Sequence, residues 1–75
     1  MKVRIKEWWE LEREFGLDED GDINCYCSFT TEMKEYCGKV IELNENDFCV
    51  DTGTDKVFLY NGWFFNNETY EIIEE

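Results

Sequence analysis

The sequence predicts a small, mostly β domain: a compact, partly open antiparallel barrel with two short helical insertions. Three observations predict it. Apolar and polar residues alternate with period two in several short runs, the signature of strands with one buried face. Val57-Phe58-Leu59-Tyr60 and Trp63-Phe64-Phe65 flank Asn61-Gly62, which specifies a tight type I′ hairpin. Aromatic residues make up 17% of a 75-residue chain. A chain this short buries only roughly 60% of the surface its unfolded form exposes, so its core must be dense. Each buried ring removes roughly 150–250 Å² from water, and a few rings replace many aliphatic side chains.

Taken in order, Val3 and Ile5 alternate with Lys2, Arg4 and Lys6 and form the first strand. From Glu7 to Phe15 the apolar positions Trp8, Leu11 and Phe15 recur at three and four, which predicts a short amphipathic helix. Gly16 stands at its C-cap. Asp18-Glu19-Asp20-Gly21-Asp22 is a loop with a turn at Asp20-Gly21. Ile23, Cys25, Cys27 and Phe29 alternate with Asn24, Tyr26 and Ser28 and read as a strand. Thr30 or Thr31 caps a one- to two-turn helix carrying Met33 and Tyr36, closed by Gly38. Val40, Ile41 and Leu43 form the next strand, Asn44 to Asp47 turn, and Phe48-Cys49-Val50 return. Thr52 to Asp55 make a second turn before the hairpin. Asn66 to Thr69 suit one helical turn, and Tyr70-Glu71-Ile72-Ile73 close as the last strand. The whole chain, 1–75, reads as one domain, and at this length a Src-homology-3-like (SH3-like) barrel fits best, with a mixed α+β arrangement as the fallback.

Nineteen acidic against seven basic residues leave a net charge of −12. Direct binding to a phosphate backbone needs basic residues to displace counterions, so nucleic acid is not the expected partner. An anionic membrane surface is disfavoured on the same ground. A partner protein with a basic surface is favoured, and long-range attraction speeds such an encounter at low salt. The same acids also keep an aromatic-rich domain in solution. The basic start, Met1 to Lys6, runs into Glu7-Trp8-Trp9-Glu10 where a signal sequence needs an apolar run, so the chain is expected in the cytosol with reduced cysteines.

Three segments carry a resemblance. Lys2-Val3-Arg4-Ile5 goes with Phe15-Gly16-Leu17-Asp18-Glu19-Asp20-Gly21-Asp22-Ile23. Ser28-Phe29-Thr30-Thr31-Glu32-Met33 runs into Tyr36-Cys37-Gly38-Lys39-Val40, and Gly62-Trp63-Phe64-Phe65 precedes Tyr70-Glu71-Ile72-Ile73. In this order they resemble a family of small uncharacterised proteins from phages and prophages of Firmicutes. The resemblance implies an SH3-like barrel and a phage setting, and no catalytic residues come with it. A phage setting points by association to an inhibitor of host defence.

Residue chemistry points away from catalysis. Histidine is absent, Ser28 is the lone serine, and no Gly-rich phosphate loop occurs. Cys25, Cys27, Cys37 and Cys49 are enough for a structural zinc, but the pair Cys25/Cys27 has one intervening residue where zinc knuckles use two. Cys25 and Cys27 also share the apolar face of Ile23 and Phe29, so they read as packing residues. Counted from Asp18, the sixth and twelfth positions of a calcium loop are Ile23 and Phe29 instead of Gly and Glu. No cofactor and no metal are expected.

The expected role is therefore a non-enzymatic, acidic protein-binding domain. If the basic groove it meets normally holds nucleic acid, it acts as a DNA mimic, as an anti-restriction or anti-CRISPR protein does. Candidate contacts are Glu10, Glu14, Asp18, Glu19, Asp20 and Asp22, with Trp9 and Tyr26 as hydrophobic anchors. The hairpin carries Phe58, Tyr60, Trp63 and Phe65 on one face and Val57, Leu59 and Phe64 on the other. A small barrel has one inside, so the second face needs a cover from a helix, a partner or a second copy. The alternative role is an assembly accessory that self-associates through that face, as a homodimer instead of a monomer.

Overall fold

The alternation at the start of the chain becomes β1, Lys2–Ile5, with Val3 and Ile5 fully buried between outward Lys2 and Arg4. Residues 1–25 and 29–74 are described by the computed structural model. After β1 come α1 (Trp8–Phe15), a 3₁₀ helix (Thr31–Tyr36), β2 (Val40–Glu42), a second 3₁₀ turn (Glu45–Asp47), β3 (Phe48–Asp51), β4 (Lys56–Tyr60), β5 (Trp63–Phe65) and β6 (Tyr70–Glu74). The fold is mostly β, as expected. The strands form two three-stranded antiparallel sheets, ordered β2–β1–β6 and β3–β4–β5. Among the described residues they share one core without joining into a closed barrel.

Register follows burial. In the first sheet Val3 pairs with Ile41 and Ile5 with Tyr70, so four buried side chains line the inner face. In the second, Tyr60 pairs with Trp63, Leu59 with Phe64 and Phe58 with Phe65. That is the hairpin the Asn-Gly turn specifies, with positive φ at Asn61 (50°) and Gly62 (83°). The Phe58 and Phe65 face is the inner one, and Tyr60 and Trp63 pack at its margin.

Rings connect the two layers. Phe58 stacks on Phe65 at 5.3 Å, Tyr70 lies 5.2 Å from Phe58, and Phe29 meets Phe65 edge-on at 5.9 Å. Trp8 extends the chain of rings through Phe29 at 6.1 Å, so the first indole finishes the core as the helical spacing requires. Such pairs contribute about 0.5–1.5 kcal/mol each beyond the area they bury.

Helix α1 buries Leu11 and closes through Gly16 N–H donating to Glu12 O at 2.8 Å. Met33 and Tyr36, three apart, both face the core. This spacing suits a 3₁₀ helix of three residues per turn, and the segment takes that form.

Two expectations are corrected. The run from Ile23 to Phe29 is not one strand: Ile23 N–H donates to Phe29 O at 2.9 Å, and Phe29 N–H to Ile23 O at 3.4 Å. The two ends of an extended run of that length would lie roughly 20 Å apart. Ile23 also bridges Leu17, and Ile23 and Phe29 are the buried anchors of a local crossing. Tyr26, Cys27 and Ser28, assigned to the same strand, lie outside the described residues. Asn66 to Thr69 form a hydrogen-bonded turn instead of a helical one, with Thr69 N–H and Oγ1 both donating to Asn66 O.

Candidate protein-binding surface

The cations determine the surface charge. Lys2, Arg4 and Lys6 project from the outer side of β1 and its extension, where acidic partners meet them. Lys2 pairs with Glu74 at 3.7 Å and Lys6 with Glu14 at 3.2 Å. Arg4 bridges Glu71 at 2.7 Å and Glu10 at 3.0 Å, tying β6 and α1 to β1. Lys34, Lys39 and Lys56 lie over the rings of Trp8, Tyr60 and Phe48, at 4.4, 5.4 and 5.5 Å from the ring centroids. Of the seven cations, Arg13 alone has neither an ion pair nor a ring among the described residues. Among the described residues, most carboxylates therefore have no ion-pair partner.

This divides the predicted contact residues. Glu10 and Glu14 are paired with Arg4 and Lys6 within the domain. Desolvation is the largest single influence on the Glu10 carboxyl and raises it. Hydrogen bonds from Arg4 and from the Glu7 N–H, with attraction to Arg4 and Lys6, outweigh it and hold Glu10 below the ordinary value.

The loop acids split further. Asp18 Oδ1 accepts the backbone N–H groups of Asp20 (2.9 Å) and Asp22 (3.1 Å), and Asp22 Oδ1 accepts that of Thr31 (2.9 Å). These bonds shape the turn, leaving the side chains of Glu19 and Asp20 without a protein partner among the described residues. The oxygens of Asp18, Asp20 and Asp22 come within 4.8 Å of one another. Like charges about 4 Å apart repel by roughly 1 kcal/mol per pair even in water, and a cationic group arriving there relieves it.

Trp9 is where the helical spacing puts it, outward and 61% exposed. Arg13 follows one turn later on the same exposed face, and Leu17, 45% exposed, leads into the acidic loop. Tyr26 lies outside the described residues. Trp9, Arg13, Leu17, Glu19 and Asp20 are thus all exposed along α1 and the loop that follows it, and Arg13 and Leu17 were not among the predicted contacts. Arg13 was legible as an outward helical position; Leu17 was not, because its bridge to Ile23 leaves a side chain in solvent that the sequence alone would bury.

A second apolar surface lies on the hairpin's outer side, where Leu59 and Phe64 are 52% and 53% exposed. The cleft between the sheets, about 800 Å³, is lined mainly by Leu43, Asn44, Glu45, Phe48, Asp51 and Lys56, a mixed set with no concentration of charge. Cys37 sits against α1, and burial first, then the neighbouring Glu7, push its thiol up to about 11. A thiol so placed stays protonated at neutral pH and is a poor nucleophile.

These features define a small, acidic, mostly β domain with a tryptophan-led exposed face. No known protein family, curated protein or solved structure matches the chain. No helix among the described residues is long and apolar enough to cross a membrane.

Proposed function

We propose that this domain is a non-enzymatic protein binder of phage origin that inhibits a host nucleic-acid-handling protein by occupying its basic groove. One observation carries the reading: nineteen acidic residues stand against seven basic ones, and six of those seven are paired with carboxylates of the same chain or lie over its rings. The surface therefore carries a large excess of acidic groups without a basic partner. Trp9 supplies a rigid anchor beside that charge, the residue type most enriched among binding hot spots. Attraction of this kind weakens as salt rises, because the Debye length shrinks from about 10 Å at 0.1 M to about 3 Å at 1 M.

The test is capture on the tagged domain from host lysate at low and high salt, read by mass spectrometry. A nucleic-acid-handling protein enriched at low salt and lost at high salt supports the reading and names the target. Recovery of phage structural proteins only, or of the domain alone, transfers the weight to the second reading, an assembly accessory that self-associates. The exposed pair Leu59 and Phe64 is the surface that alternative would use. Its salt dependence has the opposite sign, since two copies of charge −12 associate more readily as salt screens their repulsion.

A further inference from the structure

Strand alternation turns Val57 and Leu59 of β4 and Phe64 of β5 away from the core. Val50 of β3 pairs with Val57, and Leu59 with Phe64, so the four make a diagonal apolar stripe across three strands. Val50, Leu59 and Phe64 are 41–53% exposed. Val57 is buried but stands outside the core cluster, as a residue packed among outer-face neighbours does. A β-bulge between Phe48 and Val50 puts Val50 in this row while Phe48 stays on the inner side with Phe58.

Acidic residues flank the stripe. Asp47, just before β3, and Asp55, just before β4, fall at its opposite ends, because the two strands run antiparallel. Lys56, the one cation within these three strands, lies over Phe48, a residue of the inner side. A second copy docked here brings together two bodies of charge −12 each. A partner with its own cations beside apolar side chains meets both the stripe and its ends.

We infer that this outer face of β3–β4–β5 docks a partner surface in which apolar side chains are interleaved with lysine or arginine. The contact is separate from Trp9 and the acidic loop. The inference rests on the proposed reading of the domain as a binder of a basic protein, and supplies that protein with a second point of attachment. Charge brings the partner in, and the stripe adds the apolar area that charge alone cannot hold at physiological salt.

The experiment is an NMR titration of the isotope-labelled chain with three synthetic probes: an alternating lysine–leucine peptide, an oligolysine of equal charge, and an alternating glutamate–leucine peptide. The lysine–leucine peptide is expected to shift Val50, Val57, Leu59 and Phe64, and to bind about tenfold or more tightly than oligolysine. Phe64→Ser abolishes that advantage, and its spectrum reports whether the variant is folded. The shift map of the unaltered chain decides the matter without any variant. Equal affinity for the two basic probes, with shifts confined to the loop around Glu19 and Asp20, overturns the docking face and leaves basic recognition standing. Failure of both basic probes to bind overturns both. Equal binding of the glutamate–leucine peptide, or self-association centred on the stripe that grows with salt, overturns the assignment to a basic partner.

Discussion

Gly38 has φ +80°, and a Cβ built on it would collide with the Glu7 carboxylate. The left-handed backbone disfavours an L side chain by about 1–2 kcal/mol, while the carboxylate is the tip of a flexible, part-exposed side chain that can swing aside. Gly38→Ala is therefore expected to destabilise the fold by about 1–2 kcal/mol in urea titration. A Glu7→Ala background should leave that loss nearly unchanged, because the backbone strain stays. A second prediction concerns titration. Cys37 is pushed up to about 11, and Tyr70 up to about 12 by burial and the nearby Asp51, while its hydroxyl donates to Lys56 O at 2.9 Å. Both groups are neutral in the fold and ionise earlier when unfolded. The stability they contribute is complete below their ordinary values, near 9 and 10, and is lost as pH rises toward 11–12. Alkaline melting should therefore steepen across that interval, and Tyr70→Phe should flatten its upper part. At pH 8, iodoacetamide followed by mass spectrometry should label exposed Cys49 well before Cys37.

At the scale of elements, the hairpin was legible because its information is local: Asn61-Gly62 fixes the turn, and the turn fixes every pair in β4 and β5. The short helices were legible too, since Trp8, Leu11 and Phe15, and then Met33 and Tyr36, repeat with the period of what they form. The strand expected over Ile23 to Phe29 was not there, because two buried anchors at the ends of a local crossing also produce alternation. Which hairpin face lies inside was not readable either. Both faces are apolar, and the choice falls to distant partners, Phe29, Phe48 and Tyr70. Of the candidate contacts, Trp9 was legible from helical spacing. The engagement of Glu10 and Glu14 was not, because it depends on how α1 lies across the outer side of β1. Substitution tests the face assignment directly. Phe65→Ala should destabilise by about 3–5 kcal/mol, and Phe64→Ala by about 0.5 kcal/mol or less. Comparable losses at both sites would mean that the outer face is also packed.

At the scale of the whole molecule, charge is arranged as well as abundant. Basic residues on β1 collect carboxylates from α1 and β6, other lysines rest on rings, and the remaining acids are outward. Glu10 is held below its ordinary value, so its contribution to stability is present above that value and is lost as pH falls through the folded one. Glu10→Gln should accordingly flatten the acid limb of the stability curve below about pH 4, with little change in melting at pH 7 beyond the roughly 0.2–1 kcal/mol of an exposed pair. The free acids serve recognition instead. Replacing Glu19 and Asp20 with their amides leaves the turn bonds of Asp18 and Asp22 in place, so it should weaken binding and reduce its salt dependence without unfolding the loop. The measurement that tests the central claim most directly is competition between the domain and duplex DNA for the protein it captures. Occupancy of a shared basic groove predicts mutual exclusion, with DNA released in proportion to domain added. A stable ternary complex, with DNA affinity unchanged at saturating domain, would contradict it.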